Sequence, residues 1–235
     1  GVDDAGIDKL LHFLAERQVF NPNAKILDIG CGPGKYARAL AKRVNQVTAL
    51  DISPEIINYA SQNPAAGPGN NIVYETSAWE AVDLDARGWR KAYDLVFASM
   101  CPGISGADAL LKMGEASRGC CFLSGFVEKK DSIGDRLYRT VYGQEPARRG
   151  KNLYYALNIL LLSGYYPEVT YNDAVWEQTL PLEQAGEIYR RKLNGNQQSG
   201  AGLIDRITAY LARVAVNGLV TEKSRIKIAW LFWRV

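Results

Sequence analysis

The decisive stretch of this 235-residue sequence is Ile26-Leu27-Asp28-Ile29-Gly30-Cys31-Gly32-Pro33-Gly34, an apolar run that leads into three glycines. The run has the length and composition of a buried strand, and residues 35–44 return to helical spacing. Glycines between a strand and a helix let the backbone approach a ligand closely, because they carry no Cβ. The amides at the start of the next helix then face that ligand. The stretch therefore predicts a ligand site at the carboxyl end of a first strand.

The spacing of these glycines excludes two common nucleotide sites. A dinucleotide-binding loop follows G-x-G-x-x-G, and Lys35 stands where the third glycine is needed. A phosphate-binding P-loop needs Ser or Thr after Gly-Lys, but Tyr36 follows Gly34-Lys35. The G-x-G-x-G loop therefore favours a ligand without a pyrophosphate.

Strands and helices alternate along most of the chain. After the first strand, strand patterns follow at 46–51, 72–75, 93–98, 120–126, 166–171 and 226–230, and most are separated by helical spacing or loops. This alternation predicts an α/β fold, with an open, mostly parallel, seven-stranded sheet covered by helices on both faces.

One long stretch before the last strand departs from the alternation. It holds two helical patterns, at about 182–193 and 203–216, and an excursion of this length is more typical of a cap than of a loop. We therefore predict a helical cap insert before the last strand. The predicted parts are an N-terminal helix covering the site (1–23), a core (24–172 and 224–235) and the cap (173–223).

A carboxylate closes the second predicted strand. Asp51 ends the run Val47-Thr48-Ala49-Leu50-Asp51, where it can accept two hydrogen bonds from vicinal ribose hydroxyls. The alternative is that Asp51 only caps the following turn. Its spacing from the glycine loop favours the ribose role.

These features together resemble the class I S-adenosylmethionine (SAM)-dependent methyltransferases. The resemblance rests on Asp28 to Gly34, on Asp51 and on the strand Tyr93-Asp94-Leu95-Val96-Phe97-Ala98. It implies a Rossmann-like methyltransferase fold, SAM as the cofactor, and methyl transfer to a small-molecule acceptor by direct in-line displacement. The cofactor-binding residues it implies are Asp28, Gly30, Cys31, Gly32, Gly34, Asp51, Ile52, Ser77, Ala78, Trp79 and Ser99.

By the same resemblance, the glycine loop contacts the methionine part of SAM, Asp51 holds the ribose and Ile52 packs on the adenine. Members of the family commonly carry Asp-Ala after the third strand, where this chain has Ser77-Ala78. Ser77 can still donate or accept a hydrogen bond there. Trp79 either covers the adenine ring or packs in the core.

The segment that faces the methyl group in this family reads Ser99-Met100-Cys101-Pro102-Gly103-Ile104 here. It lacks the Asn/Asp-Pro-Pro-aromatic pattern of enzymes that methylate amino groups. Cys101-Pro102 matches the nucleophile of RNA cytosine C5 enzymes, but no RNA-binding extension accompanies it, so a packing role is preferred. His12, the only histidine, is a conceivable base or an ordinary surface residue. No catalytic residue is assigned, and no acidic spacing predicts a metal site.

Charge and composition limit the classes of partner that the chain is expected to bind. The net charge of +3 is small and scattered, which argues against a nucleic-acid partner. No apolar run reaches the roughly 18 residues of a membrane span, so no membrane partner is predicted, and four free thiols favour the cytoplasm. Two alternatives stay open. The first is an RNA or protein methyltransferase that contacts its substrate through the cluster from Arg148 to Lys151. The second is a SAM-binding sensor or partner module without transferase activity. The sequence does not predict an oligomeric state.

Overall fold

A computed structural model describes residues 4–63, 71–147, 151–194 and 202–235. The cluster from Arg148 to Lys151, considered above as a possible substrate contact, lies largely outside these residues. No helix in the described ranges is long and apolar enough to cross a membrane.

Strands and helices alternate as predicted. The strands are β1 (Lys25–Ile29), β2 (Gln46–Asp51), β3 (Ile72–Thr76), β4 (Tyr93–Ser99), β5 (Ser117–Asp131), β6 (Glu168–Pro181) and β7 (Leu219–Arg234). The helices are α1 (Asp4–Glu16), α2 (Lys35–Ala41), α3 (Pro54–Gln62), α4 (Ala107–Ala116), α5 (Gly134–Tyr142), α6 (Lys151–Leu162), α7 (Leu182–Asn194) and α8 (Leu203–Val214), with a short 3₁₀ turn at Trp79–Ala81.

The strands form one sheet in the order β3-β2-β1-β4-β5-β7-β6. β1 lies parallel to β2 and to β4, so that Ile26 has Val47 on one side and Leu95 on the other. The β2–β3 and β4–β5 pairs are also parallel. β1, β2 and β4 are buried on consecutive residues, as expected for central strands of a sheet covered on both faces. The predicted mostly parallel, seven-stranded α/β sheet is confirmed.

The chain divides into two compact units. The first contains residues 1–125, 151–171 and 229–235, and the second contains residues 126–150 and 172–228. In the first unit, Phe97 and Phe122 stack with ring centroids 4.9 Å apart. The α1 residue Phe13 meets Phe122 and Trp230 edge-on, which packs the predicted N-terminal helix against these strands.

The second unit has its own apolar core, to which α5, α7 and α8 contribute Leu137, Ala185 and Leu211. The two predicted helical patterns correspond to α7 and α8. Besides most of the predicted cap, this unit contains residues 126–150 and segments of three strands.

The strands of the second unit are longer than the sequence predicts. β5 and β6 continue to Asp131 and Pro181, beyond the predicted ends at 126 and 171. The β5 extension is mostly charged and the β6 extension mixes polar and apolar residues, so apolar periodicity does not mark either of them. Cross-strand pairs stabilise β6 against β7: Lys227 binds Asp173, Lys223 binds Glu177, and Thr179 bonds Thr221. The order of the three pairs is that of antiparallel strands.

Candidate functional site

The backbone of the loop between β1 and α2 adopts conformations that favour glycine at three positions. Gly30, Gly32 and Gly34 have φ values of 69°, 54° and 78°, in the left-handed region that favours glycine. At Gly30 a Cβ would also lie 2.4 Å from the Sγ of Cys101. At Gly32 an added Cβ would meet no protein atom within 4 Å. The loop is thus packed against the protein at Gly30 and open at Gly32.

Asp51, at the end of β2, fastens this loop to the start of α3. Its Oδ2 accepts the Gly32 N–H at 2.9 Å, and its Oδ1 accepts the Ser53 N–H at 3.0 Å. Ser53 in turn caps α3 by accepting the Ile56 N–H at 3.2 Å. Each carboxylate oxygen of Asp51 keeps acceptor capacity for a further donor. Asp51 therefore orders the turn and stays able to bind hydroxyl groups, so the two roles considered for it are compatible.

Asp28 lies buried in β1, just before the loop. Burial, reinforced by the nearby charge of Asp51, raises the pKa of its carboxyl to about 7, although a backbone hydrogen bond with Ala37 opposes the shift. Within the described residues its Oδ2 has no hydrogen-bond partner. Buried carboxylate oxygens are rarely left unpartnered, and an ammonium group on a ligand would satisfy this one.

Ile52 and Ser77 lie where the resemblance places the adenine. The Ile52 side chain is 71% exposed, although it is apolar and directly follows Asp51. The Ser77 N–H donates to the Asp51 carbonyl oxygen at 2.9 Å, and Ser77 and Ala78 are half-buried. An exposed apolar side chain directly after Asp51 is free to contact a flat ring.

Trp79 belongs to the core of the first unit. Its side chain is 3% exposed, and its indole N–H donates to the Ala109 carbonyl oxygen at 2.8 Å. The Lys112 ammonium binds the Trp79 carbonyl oxygen and lies 4.9 Å from the ring centroid. This placement favours the packing role over the adenine contact.

Three hydroxyl groups meet where β4 ends. The Ser99 and Ser124 Oγ atoms are 2.9 Å apart, and the Tyr36 phenol shares a hydrogen bond with the Ser99 side chain. Burial raises the pKa of Tyr36, so its hydroxyl stays neutral near pH 7. The next residue, Met100, has a φ of 55°, a conformation uncommon for residues other than glycine and found often at functional sites.

Tyr36 is the candidate residue that the sequence analysis missed. It follows the glycine loop by two residues, in the first turn of α2, and that position was its only signal. Its partner Ser99 lies at the end of β4, and Ser124, which bonds Ser99, lies on β5, so the cluster depends on the tertiary structure.

Cys101 packs against the loop. Burial raises the pKa of its thiol to about 11, so little thiolate exists at neutral pH, and the thiolate is the nucleophilic form. The Cys31 thiol also has its pKa raised by burial. Both observations support the packing role. His12 is a surface residue on α1 whose Nε2 lies 3.3 Å from Glu16.

Comparison with known proteins places the match at this same site. The model of a methyltransferase domain matches residues 26–115, which include the glycine loop, Asp51 and Cys101. A ubiquinone biosynthesis O-methyltransferase of Xanthomonas campestris is 44% identical over 50 residues, 21% of this chain and 20% of that protein. A trans-aconitate 2-methyltransferase of Streptomyces avermitilis is 37% identical over 82 residues, 32% of this chain and 28% of that protein. The matches thus span less than a third of either relative.

Solved structures show the same fold over nearly the whole chain. The YcgJ protein of Bacillus subtilis superposes with a TM-score of 0.58 at 15% identity, covering 97% of this chain and 98% of that one. A phosphoethanolamine N-methyltransferase of Haemonchus contortus, solved with S-adenosylhomocysteine, gives a TM-score of 0.54 at 15% identity. The superposition covers 97% of this chain and 52% of that one. The glycine loop, the domain match over residues 26–115 and the sheet order agree: this chain resembles the class I SAM-dependent methyltransferases in its first motif and in its fold.

Proposed function

We propose that this chain transfers the methyl group of SAM to a small-molecule acceptor by direct in-line displacement. The observation that carries the proposal is the left-handed Gly30–Gly34 loop fastened by Asp51 to the start of α3. The names of both sequence relatives refer to methylation in small-molecule chemistry, which supports this class of acceptor.

The residues present fit SAM. The unpartnered Oδ2 of Asp28 would accept from the amino group, Asp51 would bind the ribose hydroxyls, and Ile52 would pack on the adenine. When bound, SAM supplies an electrophilic methyl group on a positively charged sulfonium. Such a transfer asks the protein mainly for alignment and exclusion of water. The hydroxyls of Tyr36, Ser99 and Ser124 would orient a polar acceptor where β4 ends.

Asp51→Ala tests the cofactor assignment. Losing the ribose hydrogen bonds should weaken SAM binding by about 2–4 kcal/mol, measured by titration calorimetry. Asp173→Ala is the control, because Asp173 is exposed in the second unit and pairs only with Lys227 among the contacts described. Wild-type affinity in Asp51→Ala would contradict the ribose role, and tighter binding of NAD or ATP than of SAM would contradict the proposed cofactor.

We also propose that the second unit, which contains most of the predicted cap, supplies specificity for the acceptor. Leu211 is fully buried in the core of that unit, so Leu211→Asp should disrupt its packing. We expect SAM binding to stay within about threefold of wild type, because the residues proposed to hold SAM lie in the first unit. Transfer to an acceptor identified by a metabolite screen should be lost.

The control for this experiment is Leu219→Asp, which places the same charge at an exposed position of the same unit. It should retain transfer. Full transfer in Leu211→Asp, with the packing loss confirmed by hydrogen exchange, would refute a role of the second unit in acceptor choice.

A further inference from the structure

Strand β6 carries a buried amide whose hydrogen-bonding atoms are unused. Asn172 is 9% exposed, and within the described residues neither its Oδ1 nor its Nδ2 has a hydrogen-bond partner. Buried polar atoms are normally satisfied, because leaving them without a partner costs free energy. A ligand that supplies one donor and one acceptor would satisfy both atoms of this amide at once.

The neighbouring strand offers Asn172 no polar partner. The salt bridges between β6 and β7 set the register of the two strands, and this register places Ile228 opposite Asn172. Ile228 is apolar and buried. Among the described strands β6 is the last of the sheet, so only β7 lies beside it. Pairing within the sheet therefore does not account for the buried amide.

An aromatic pair lies on the same face of the second unit. Side chains alternate along a strand, so Trp176, four residues after Asn172, lies on the same side of β6. Its ring meets the ring of Phe126 on β5 at a centroid distance of 5.7 Å and an interplanar angle of 78°. Strand β7 lies between β5 and β6, so the two side chains meet above it. Both residues are half-buried, and part of their surface stays open to solvent.

A small residue separates the amide from the aromatic pair. Ala174 lies between Asn172 and Trp176 on this face and is itself partly exposed, so solvent reaches the surface between them. The Cα atoms of Asn172 and Trp176 are about 13 Å apart, at ~3.3 Å per residue. This span suits one small ring compound that contacts the amide at one end and the aromatic pair at the other.

We propose that Asn172, Trp176 and Phe126 form a binding site for a small ring compound that carries an amide or lactam group. An amide edge presents one N–H donor and one carbonyl acceptor, the two partners that Asn172 lacks. A carboxylate only accepts, so it would leave the Asn172 Oδ1 unpartnered. The aromatic pair supplies an apolar surface for the ring of the ligand. All three residues belong to the second unit.

This compound is the methyl acceptor, an assignment that rests on the proposed role of the second unit in acceptor choice. The binding site itself is tested without methyl transfer. Failure of the site and failure of the proposed transfer are therefore separate results.

Benzamide and acetophenone are matched probes of the site. They share the ring and the carbonyl group, but acetophenone has a methyl group where benzamide has NH₂. In the ¹⁵N-labelled full chain, benzamide should shift the side-chain NH₂ signals of Asn172, which are assigned by their loss in Asn172→Leu. We expect benzamide to bind about tenfold more tightly than acetophenone, because acetophenone leaves the Asn172 Oδ1 without a donor.

Two variants locate this preference. Asn172→Leu should reduce the ratio of the two affinities to about one, because both hydrogen bonds are lost. Gln178→Leu is the matched control, since it removes an exposed amide from the same face of β6. It should leave the ratio unchanged.

Thermal unfolding separates a ligand site from a structural role. If the amide is reserved for a ligand, Asn172→Leu removes unpartnered buried atoms and should raise the Tm of the ligand-free protein. If Asn172 already had a partner, the Tm should fall.

Three results would overturn the site: no benzamide-induced shift of the Asn172 signals, the same affinity ratio in wild type and Asn172→Leu, or a lower Tm in Asn172→Leu. Benzamide should also inhibit methyl transfer in competition with the acceptor from the metabolite screen and not with SAM. Binding without that competition would overturn the acceptor assignment. A wild-type chain that binds benzamide through Asn172 but transfers no methyl group would overturn the proposed function and the acceptor assignment, and not the site.

Discussion

Gly30→Ala is expected to abolish measurable SAM binding and to lower the free energy of unfolding by about 2–5 kcal/mol. The left-handed backbone at Gly30 disfavours any Cβ. The new methyl group would also lie 2.4 Å from the Cys101 Sγ and 3.0 Å from its Cβ, so either the loop or Cys101 must move. Because Asp51 holds this loop through Gly32, the movement should reach the Asp51 carboxylate, which we propose binds the ribose. Urea denaturation and titration calorimetry measure the two effects.

Gly32→Ala and Gly30→Ala/Cys101→Gly are the controls. Gly32 shares the left-handed conformation, but an added Cβ there would meet no protein atom within 4 Å. The loss of unfolding free energy in Gly32→Ala should therefore come only from the strained backbone conformation. Removing the Cys101 side chain leaves the Cys101 Cα, at 3.7 Å, as the nearest of the three Cys101 contacts. The double variant should therefore recover the part of the unfolding free energy that Gly30→Ala loses through the clash with Cys101. Equal stability of Gly30→Ala and Gly32→Ala would contradict the packing argument.

The glycine loop and the parallel sheet could be predicted because both depend on local sequence. A left-handed turn favours glycine whatever surrounds it, and β1 is an apolar run because both of its faces are buried. The contact of Cys101 with Gly30 could not be predicted, because it joins residues 71 positions apart in sequence. The same applies to the Trp79 indole, whose partner Ala109 lies on α4. From the local pattern alone, Trp79 could either contact the adenine ring or pack in the core.

The ends of β5 and β6 escaped prediction for a different reason. Their extensions alternate poorly in hydrophobicity, since exposed residues of β6 such as Asp173 and Glu177 are charged. The pairing with Lys227 and Lys223 that stabilises the β6 extension comes from β7, some 50 residues away. Hydrophobic periodicity is obscured on β6 because Asn172 is buried whereas Val175 is 67% exposed.

Asp28→Asn should stabilise the protein at pH 8 and weaken its binding of SAM. Burial raises the pKa of Asp28 in the folded protein to about 7 from an ordinary value of 3.8, whereas the unfolded chain loses this proton near the ordinary value. The stability associated with the neutral carboxyl is therefore present below pH 3.8 and is lost as the pH rises towards 7. At pH 8 the buried charge costs roughly 4 kcal/mol at most, and we expect the amide to recover about 1–3 kcal/mol because its own N–H₂ stays unpartnered. The gain should shrink towards pH 4, as urea denaturation would show.

The matched control is Asp131→Asn, a second buried aspartate whose carboxylate accepts from Ser224 and pairs with Lys129. Because that charge is partnered, neutralising it should destabilise the protein at pH 8, opposite in sign to Asp28→Asn. If the Oδ2 of Asp28 is left unpartnered in order to receive the amino group of SAM, the wild-type affinity should rise between pH 6 and 8 as the carboxyl ionises. Asp28→Asn should flatten that rise and weaken binding at pH 8 by about tenfold. A stabilised variant with unchanged affinity would mean that Asp28 carries its unfavourable charge for some purpose other than SAM, and a destabilised one would mean that its Oδ2 already has a partner.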